Sequence, residues 1–280
     1  MSNIGTLLMV VSTDLPSVTV IIPTFRSADV IKRALDSVLA QTHQPAEIIF
    51  VDDASGDQTP ELLHQLAATD SRIRVLENEL NIGPGRSRNR GWDAAKTELV
   101  AFLDADDSWD PDKLRIQCQW MRSHPTEVIC GTRHRFAHDG IASLNSDSVS
   151  RFTVTDILRR NRFTTPSVVI RRAVPDRFDS RLRLAEDYLL WMELAARYGG
   201  VNRIDTALTI LHKPIYGAGG LSGKTFAMFV SELRAILQLR RRGYIGPLQT
   251  VASWCWSTLK LARRLPTSLI RTLRWRALHG

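Results

Sequence analysis

Short apolar runs that alternate with segments of helical periodicity dominate the first 110 residues of this 280-residue chain. The runs are rich in Val and Ile and span residues 18–22, 48–51, 73–76 and 99–103. Between them, residues 29–40, 59–68 and 85–95 fit helices. Such runs are typical of strands buried on both faces, and strands that alternate with helices form parallel βαβ units. The pattern therefore predicts an α/β fold with a mostly parallel central sheet.

The alternation is less regular beyond residue 110. Helices are predicted at residues 111–123 and 186–198, strands at 127–136, 168–170 and 207–211, and a polar loop at 138–150. From residue 222 onward nearly every segment fits a helix, with breaks near 243–247 and at Pro266. We therefore divide the chain into an α/β domain, residues 1–221, and a C-terminal helical extension, residues 222–280.

Acidic residues follow two of the predicted strands directly. Asp52 and Asp53 end the second run, and Asp104, Asp106 and Asp107 follow the fourth. In an open parallel sheet, ligands bind beyond the carboxyl ends of the strands. Carboxylates clustered there repel one another unless a cation lies among them, which favours a divalent metal that also holds phosphate oxygens. The alternative is that these acids belong to loops or cap the helix that follows.

A glycine-rich turn at residues 81–91 is the candidate phosphate site. Its sequence is NIGPGRSRNRG, with arginines at the alternate positions 86, 88 and 90. A helix N-terminus and guanidinium groups both favour a diphosphate. The first strand is followed neither by the Gly-x-Gly-x-x-Gly of dinucleotide-binding folds nor by a P-loop. Metal and arginines are therefore expected to hold the phosphates, the alternative being a solvated basic face.

These motifs together resemble family 2 glycosyltransferases, the inverting enzymes with a GT-A fold. The matching stretches are residues 20–25, 34–42, 51–57, 81–91, 102–114 and 185–190, in the family's order and spacing. Arg26 stands where Asn is frequent and Ser87 where Ala is frequent, so neither departure touches an acidic position. The resemblance implies a nucleotide-binding half, residues 16–110, and an acceptor half, residues 111–221.

The resemblance also implies where the nucleotide lies. Pro23, Thr24 and Asp53 are implied to line the pocket for the base and the ribose, with Asp52 beside them. Arg88 is implied to lie near the diphosphate. The donor is therefore expected to be a nucleotide sugar, with UDP as the expected nucleotide.

The Asp-x-Asp motif and a later histidine are the implied metal site. Asp106 or Asp107 would hold Mn²⁺ or Mg²⁺, and Asp104 or Asp106 would hold the ribose or the sugar. His212 follows a predicted strand and precedes the glycine-rich residues 213–222, which in similar enzymes form a flap over the donor. Three interpretations of His212 stay open: a third metal ligand, a diphosphate contact, or a surface residue after a strand.

Asp187 matches the catalytic base of the family. An inverting transfer needs one carboxylate to take the proton of the acceptor hydroxyl as that hydroxyl attacks the anomeric carbon. Asp187 lies at the start of a predicted helix, where the helix dipole favours the ionised form. The alternative is that Asp187 simply caps this helix, and the adjacent Glu186 is the less favoured base.

The charge of the chain is distributed unevenly. The whole chain has 37 Lys and Arg against 29 Asp and Glu, a formal charge of +8. Residues 1–110 have 9 basic and 17 acidic side chains, whereas residues 222–280 have 11 basic and one acidic. Trp254, Trp256 and Trp275 lie among these basic residues, which is typical of a helix on an anionic membrane surface. The alternative is a helical cap packed on the domain.

Other features of the chain limit the classes of protein. No recognised nucleic-acid-binding module occurs, and the basic residues lie apart from the acidic motifs, so no nucleic-acid partner is expected. Three scattered cysteines form no disulfide framework, and neither a signal peptide nor a long apolar span is evident. We therefore expect a cytoplasmic protein, peripheral on the inner face of the cell membrane.

The expected function is metal-dependent transfer of a hexose-like sugar from a nucleotide donor to a glycan or lipid-linked acceptor, in bacterial surface-polysaccharide synthesis. Two alternatives are weighed against it. A nucleotidyltransferase usually has a glycine-rich, basic loop after the first strand, which this chain lacks. A non-catalytic nucleotide-sugar-binding protein is disfavoured because Asp187 is present.

Overall fold

A computed structural model describes residues 14–139, 148–212 and 225–279, with side chains in the last stretch described for residues 226–263. The strands are β1 Val18–Thr24, β2 Glu47–Asp52, β3 Ile73–Glu77, β4 Leu99–Phe102, β5 Ser108–Trp109, β6 Ile129–Phe136, β7 Val149–Phe152, β8 Val169–Arg171 and β9 Val201–Leu211. The helices are α1 Ile31–Leu39, α2 Thr59–Thr69, α3 Pro84–Ala94, α4 Lys113–Ser123, α5 Val154–Arg159, α6 Glu186–Arg197, α7 Thr225–Arg241 and α8 Pro247–His279.

The first four strands form a parallel sheet in the order β3–β2–β1–β4. Both central strands are buried on their two faces, as their β-branched runs predict. The α/β fold is therefore confirmed, and its four strand ends point to one edge.

The second half of the sheet is mixed. Strand β8 lies antiparallel beside β4, and β6, β9 and β5 follow in that order, with β7 paired to β9. Strands β6 and β9 are parallel to each other, with register shifts on both sides of Arg133. These antiparallel additions bring the short strand β5, directly after the Asp-x-Asp motif, beside the end of β9.

Helices cover the sheet on both faces. Alternate residues of β1, such as Val20 and Ile21, point to opposite faces and enter separate apolar cores. Helices α1, α2 and α4 pack on one core, and α3, α5, α6 and α7 on the other. Helix α7 contributes Ala235, Ile236 and Leu239 to the core of α6, so the beginning of the helical extension is packed on the α/β domain.

Several local predictions differ from the structure. Strand β9 is longer than predicted, and β7 and α5 were predicted as polar loop or not at all. The break at Pro266 was wrong: α8 continues through it, since one proline removes a single helical N–H and kinks a helix more readily than it ends one. The predicted loop at 138–150 lies partly, and the flap at 213–222 wholly, outside the described residues. Among the helices that are described, none has the length and apolarity to cross a membrane.

Candidate active site

Backbone strain marks the edge of the sheet where the predicted motifs lie. Within the described residues, three residues other than glycine have a left-handed backbone: Arg26, Ala54 and Ala185, with φ of 50°, 58° and 61°. They follow β1, follow β2 and precede α6. Such residues are uncommon because their Cβ crowds the backbone, and they cluster at functional sites. Three separate segments are therefore held in strained turns around one cleft.

The two acids that end β2 are buried and hold neighbouring loops. The Asp52 carboxylate accepts hydrogen bonds from the Ser55 amide (3.0 Å), the Ser55 hydroxyl and the Thr24 hydroxyl (3.2 Å). Asp53 accepts from the amides of Ile82 and Gly83 at 2.9 and 2.8 Å. These bonds bring Thr24 and both acids together. They also engage the first amides of the glycine-rich turn, which are therefore not open to a phosphate in this conformation.

Only one of the three arginines in that turn points into the cleft. Arg86 donates to the Ser180 carbonyl at 2.8 Å, and Arg90 contacts the Glu77 carbonyl, both on the outside of α3. Arg88 lies on the opposite side of the helix, with 7% of its side chain exposed. Positions i and i+4 share a helix face, whereas i+2 lies on the other side. Arg86 and Arg90 thus form the solvated basic face that was the alternative, and Arg88 alone of the three arginines points inward.

Arg88 connects the Asp-x-Asp motif to the start of α6. Its guanidinium binds Asp104 at 2.6 Å and Glu186 at 3.3 Å, and lies 5.5 Å from the centre of the Phe178 ring. Burial alone would lower the pKa of Arg88, but Asp104 and Glu186 outweigh it and raise that pKa. The cleft therefore keeps a buried, permanently charged cation between two acidic segments.

Asp187 lies beside this network and does not cap its helix. The N-cap of α6 is Ala185, and the Asp187 carboxylate accepts from the Tyr188 amide (2.7 Å) and the Thr165 hydroxyl (3.3 Å). Burial raises the pKa of Asp187, against the lowering effect of Arg88. The expectation that the helix start favours the ionised form is therefore outweighed by burial. Burial and the charge of Asp187 also raise the pKa of Glu186 to about 7.

The acids after β4 form a second cluster with His212. The His212 amide donates to Asp107 at 3.3 Å, and its ring Nε2 lies 2.8 Å from the Ser108 hydroxyl. Burial, then Asp104 and Asp106, raises the pKa of Asp107 to about 8. The structure therefore brings the four predicted residues of this cluster together, and Asp107 does not cap the following helix.

The donor set at this cluster suits a divalent cation. Within the described residues, no three acids, histidines or cysteines are already arranged as a ligand set. Burial first, and then the charges of Asp104 and Asp106, raise the pKa of Asp107. Burial and Arg33 lower the pKa of His212, which favours the neutral ring that binds metals. Carboxylate oxygens with one imidazole are ligands that Mn²⁺ accepts.

Some residues of the site carried no signal in the sequence. Phe178 lies under Arg88, and its backbone is held by both amide atoms of Asn89, at 2.8 and 3.0 Å. Thr165 contacts Asp187 from a 3₁₀ turn. Contacts between distant segments define these residues, so a local pattern does not reveal them.

Comparison with known proteins identifies relatives of the chain. The family model for glycosyl transferase family 2 matches residues 19–171. The succinoglycan biosynthesis protein ExoO of Rhizobium meliloti is 32% identical over 197 residues, which are 62% of this chain and 54% of ExoO. The chain thus matches about half the length of that relative. The Escherichia coli protein WfgD is 29% identical over 177 residues, which are 63% of this chain and 69% of WfgD. Its name is UDP-Glc:alpha-D-GlcNAc-diphosphoundecaprenol beta-1,3-glucosyltransferase.

Solved structures share the fold, which is GT-A. TarS of S. aureus, in complex with UDP-GlcNAc, superposes with a TM-score of 0.63 and 22% identity over 80% of this chain and 66% of that one. The mannosyltransferase PcManGT of Pyrobaculum calidifontis, in complex with GDP-Man and Mn²⁺, gives a TM-score of 0.64 and 20% identity over 95% of this chain and 81% of that one. At these identities the likeness concerns the fold alone.

Proposed function

Because this chain belongs to glycosyl transferase family 2, we propose that it is an inverting glycosyltransferase of bacterial polysaccharide synthesis. It would move a hexose-like sugar from a UDP-linked donor to a lipid-linked glycan. The single observation that carries this proposal is Arg88, which joins Asp104 of the Asp-x-Asp motif to Glu186 beside Asp187. This contact supports the proposal because it brings the Asp-x-Asp motif close to the segment that carries Asp187.

Asp187 is the proposed catalytic base. It takes the proton of the acceptor hydroxyl while the hydroxyl oxygen attacks the anomeric carbon and the bond from that carbon to the diphosphate oxygen breaks. The two hydrogen bonds from Tyr188 and Thr165 orient its carboxylate. Because burial raises the pKa of Asp187, the carboxylate is a stronger base than an exposed aspartate. One displacement of this kind inverts the configuration at the anomeric carbon.

Arg88 is the proposed partner of the leaving diphosphate. The guanidinium is already desolvated and bound on both sides, so it is fixed before the reaction and offers preorganised positive charge. A divalent ion held by Asp106 and Asp107, with His212 beside them, would supply further positive charge to the departing nucleotide. Metal dependence is part of the proposal, and Asp104 is left to hold the ribose or the sugar.

The nucleoside would lie at the ends of β1 and β2. Pro23 and Thr24 line this edge, and the exposed ring of Phe25 offers a flat surface for a base. Asp52 and Asp53 are 1% and 3% exposed, so we expect them to shape the pocket through the loops they hold. UDP is the proposed nucleotide because the WfgD relative is named for UDP-Glc and the TarS structure contains UDP-GlcNAc.

We propose a sugar linked to a lipid diphosphate as the acceptor. The proposal follows the WfgD relative, whose named acceptor is a sugar on diphosphoundecaprenol. A lipid carrier remains in its membrane, so the enzyme must work at a membrane surface. We therefore propose a cytoplasmic site of action, with the chain peripheral on the inner face of the cell membrane.

The test measures donor binding and transfer separately. Thermal stabilisation by UDP-Glc, UDP-GlcNAc and GDP-Man, with and without Mn²⁺, identifies the donor, because a ligand that binds the folded state raises the melting temperature. Transfer is measured as UDP release with a GlcNAc-diphospholipid. Asp187→Asn should lower kcat roughly 1,000-fold, as expected for loss of a general base, with donor binding unchanged. The control is Asp36→Asn, at an exposed acid paired with Lys32.

Three results would contradict the proposal. Stabilisation by GDP-Man alone would exclude UDP. Equal stabilisation with and without Mn²⁺, together with equal turnover in EDTA, would exclude the metal. Turnover by Asp187→Asn at the wild-type rate would remove Asp187 as the base.

A further inference from the structure

Helix α8 has the opposite orientation to an ordinary amphipathic helix over residues 247–263. The side chains packed against the rest of the molecule are small and polar: Thr250, Ser253 and Ser257, at 1%, 7% and 1% exposure. The side chains pointing outward are apolar: Leu248, Val251 and Leu259, at 88%, 55% and 42% exposure. A helix that packs on a water-soluble domain normally buries its apolar stripe and exposes its polar one.

Polar contacts fix the rotation of the helix. The Trp254 indole N–H donates to the Leu233 carbonyl of α7 at 3.2 Å. Glu232 of α7 accepts from the Ser257 hydroxyl at 2.7 Å and from Lys260 at 2.5 Å. These bonds hold the polar face inward, so the apolar face stays outward as a property of the folded domain.

The apolar face continues onto Trp256. This side chain is 40% exposed, and its indole N–H donates to the Arg159 carbonyl of α5 at 2.8 Å. Its polar atom is thus satisfied by protein while part of its ring remains outside. Tryptophan with an apolar body and a satisfied N–H is favoured at the boundary between water and lipid.

Charge decides which partner fits this face. Residues 222–280 contain 11 basic side chains and one acidic one, Glu232, which is already paired with Lys260. Arg240 and Arg241 at the end of α7, and Arg263 one turn beyond Leu259, are exposed. The exposed arginines of two copies repel each other, whereas anionic lipid headgroups attract them. An apolar stripe on a segment with exposed arginines therefore fits an anionic bilayer rather than a second copy of the chain.

The position of the face agrees with the acceptor side of the site. Helix α8 contacts α5 through the Gln249 amide, 3.2 Å from the Thr155 hydroxyl. The carbonyls of Ile157 and Leu158 at the end of α5 accept hydrogen bonds from the Tyr188 hydroxyl at 3.2 Å each. Tyr188 directly follows Asp187. Helix α8 and the segment that carries the proposed base thus contact the same short helix.

We propose that residues 247–263 of α8, with exposed arginines beside them, form a docking surface for an anionic lipid bilayer. Leu248, Val251, Trp256 and Leu259 enter the interface between headgroups and acyl chains, and the arginines contact lipid phosphates. Docking would place the acceptor side of the cleft near a lipid-linked substrate, a consequence that rests on the proposed function. The docking itself does not depend on it.

The experiment is vesicle co-sedimentation of the full chain. The probes are vesicles of phosphatidylcholine and vesicles of phosphatidylcholine mixed with phosphatidylglycerol. The triple variant Leu248→Gln, Val251→Gln, Leu259→Gln should lower partitioning into the anionic vesicles roughly 100-fold, because three apolar side chains leave the interface. The matched control is Leu39→Gln, Leu80→Gln, Val149→Gln, which changes three exposed apolar residues of the α/β domain. It should partition as the wild type does.

A second variant tests the charge. Replacing Arg240, Arg241 and Arg263 by Gln should weaken partitioning into the anionic vesicles roughly 100-fold, and raising the salt concentration should weaken that of the wild type. Binding to vesicles of phosphatidylcholine alone should be weak for every form.

Several outcomes overturn the proposal. These are no partitioning of the wild type, equal partitioning of the triple variant and wild type, or an equal loss in the control triple. Sedimentation velocity that shows a wild-type dimer, dispersed by the triple variant, would assign the face to a second copy.

Donor binding separates this inference from the proposed function. Thermal stabilisation by the nucleotide sugar is measured on the same wild type and triple variant. Stabilised protein that does not bind vesicles overturns the docking surface alone. Vesicle binding without any response to nucleotide sugars overturns the proposed function and leaves the docking surface in place.

Discussion

The acids that end β2 and those that follow β4 are alike in sequence and differ in what surrounds them. Asp53 is buried against two backbone amides that open α3. Asp104 and Asp107 are bordered instead by an arginine, a histidine and one another. The first pair has its hydrogen-bonding capacity met by the fold. In the second group, burial and the neighbouring carboxylates raise the pKa of Asp107 to about 8.

The partners of a carboxylate thus help to distinguish acids that stabilise this fold from acids that act in the reaction. A carboxylate whose oxygens accept from backbone amides holds a loop, and its loss should appear as reduced stability. A carboxylate held near other carboxylates is destabilised by repulsion between like charges when no ligand is bound. Its loss should appear as reduced activity with little loss of stability.

Among the residues that border these acids, the largest effect is expected at Arg88. Arg88→Gln removes the charge that joins Asp104 to Glu186, and we expect kcat to fall roughly 100- to 1,000-fold, as for loss of a preorganised electrostatic contact in an active site. The free energy of unfolding should also fall, by about 3 kcal/mol, because two acids lose their buried partner. UDP release and urea unfolding measure the two quantities.

The same motif provides the controls. Arg86→Gln and Arg90→Gln change exposed arginines on the outer side of α3, which bond backbone carbonyls and, at Arg90, also the Asn78 side chain. Both variants should keep kcat within about twofold of the wild type, since surface contacts of this kind contribute little. A loss at either position as large as that at Arg88 would mean that the motif acts through its total charge.

Asp53→Asn and Asp106→Asn test directly whether the acids after β2 affect stability and those after β4 affect activity. Asp53→Asn should lower the free energy of unfolding by about 2 kcal/mol, because charge-assisted bonds to two buried amides weaken. Asp106→Asn should leave stability equal or slightly higher, since Asp106 is one of the charges that raise the pKa of Asp107. It should lower kcat roughly 100-fold and remove the added stabilisation by Mn²⁺. If the two variants exchanged these effects, the distinction between the two strand ends would be wrong.

The sequence was sufficient for the parts of the site that follow from local pattern. Apolar β-branched runs predicted the parallel strands, and parallel strands end at one edge, so the acids after β2 and β4 were expected there. Pro84 at the start of α3 and the helical spacing of α6 fixed two helices that carry Arg88 and Asp187.

The rest depends on contacts that no local pattern contains. The residues of the turn alone did not distinguish its three arginines. The family resemblance singled out Arg88, and the rotation of α3 directs it away from the other two. Strand β7 is an edge strand that is exposed at alternate positions, so its sequence resembles a loop. The inverted α8 was predicted as amphipathic, but the direction of its apolar face is decided by Glu232 and Trp254.

The pH dependence of transfer extends the comparison to the two acids at the start of α6. Burial raises the pKa of Asp187, and burial with the charge of Asp187 raises that of Glu186 to about 7. A base works only when deprotonated, so kcat/KM should fall as the pH decreases through the range in which Asp187 is protonated, and level off above it. Glu186→Gln removes a negative neighbour, which lowers the pKa of Asp187 and should move this limb of the pH profile to lower pH. An unmoved limb would show that the two acids titrate independently.

The smallest effect is expected where α3 meets α6. Gly85 lies so close to Glu186 that a Cβ there would be 2.7 Å from the Glu186 Cγ and 3.4 Å from the Phe178 Cβ. Gly85→Ala should therefore displace Glu186 and lower kcat by roughly threefold, while the better helix propensity of Ala offsets part of the strain. The matched control is Gly246→Ala, where a Cβ meets no atom within 4 Å. Combining Gly85→Ala with Glu186→Gln provides the decisive measurement. If Gly85 acts by leaving room for the Glu186 carboxylate, Gly85→Ala will lower kcat less in the Glu186→Gln background than in the wild type, whereas independent effects will multiply.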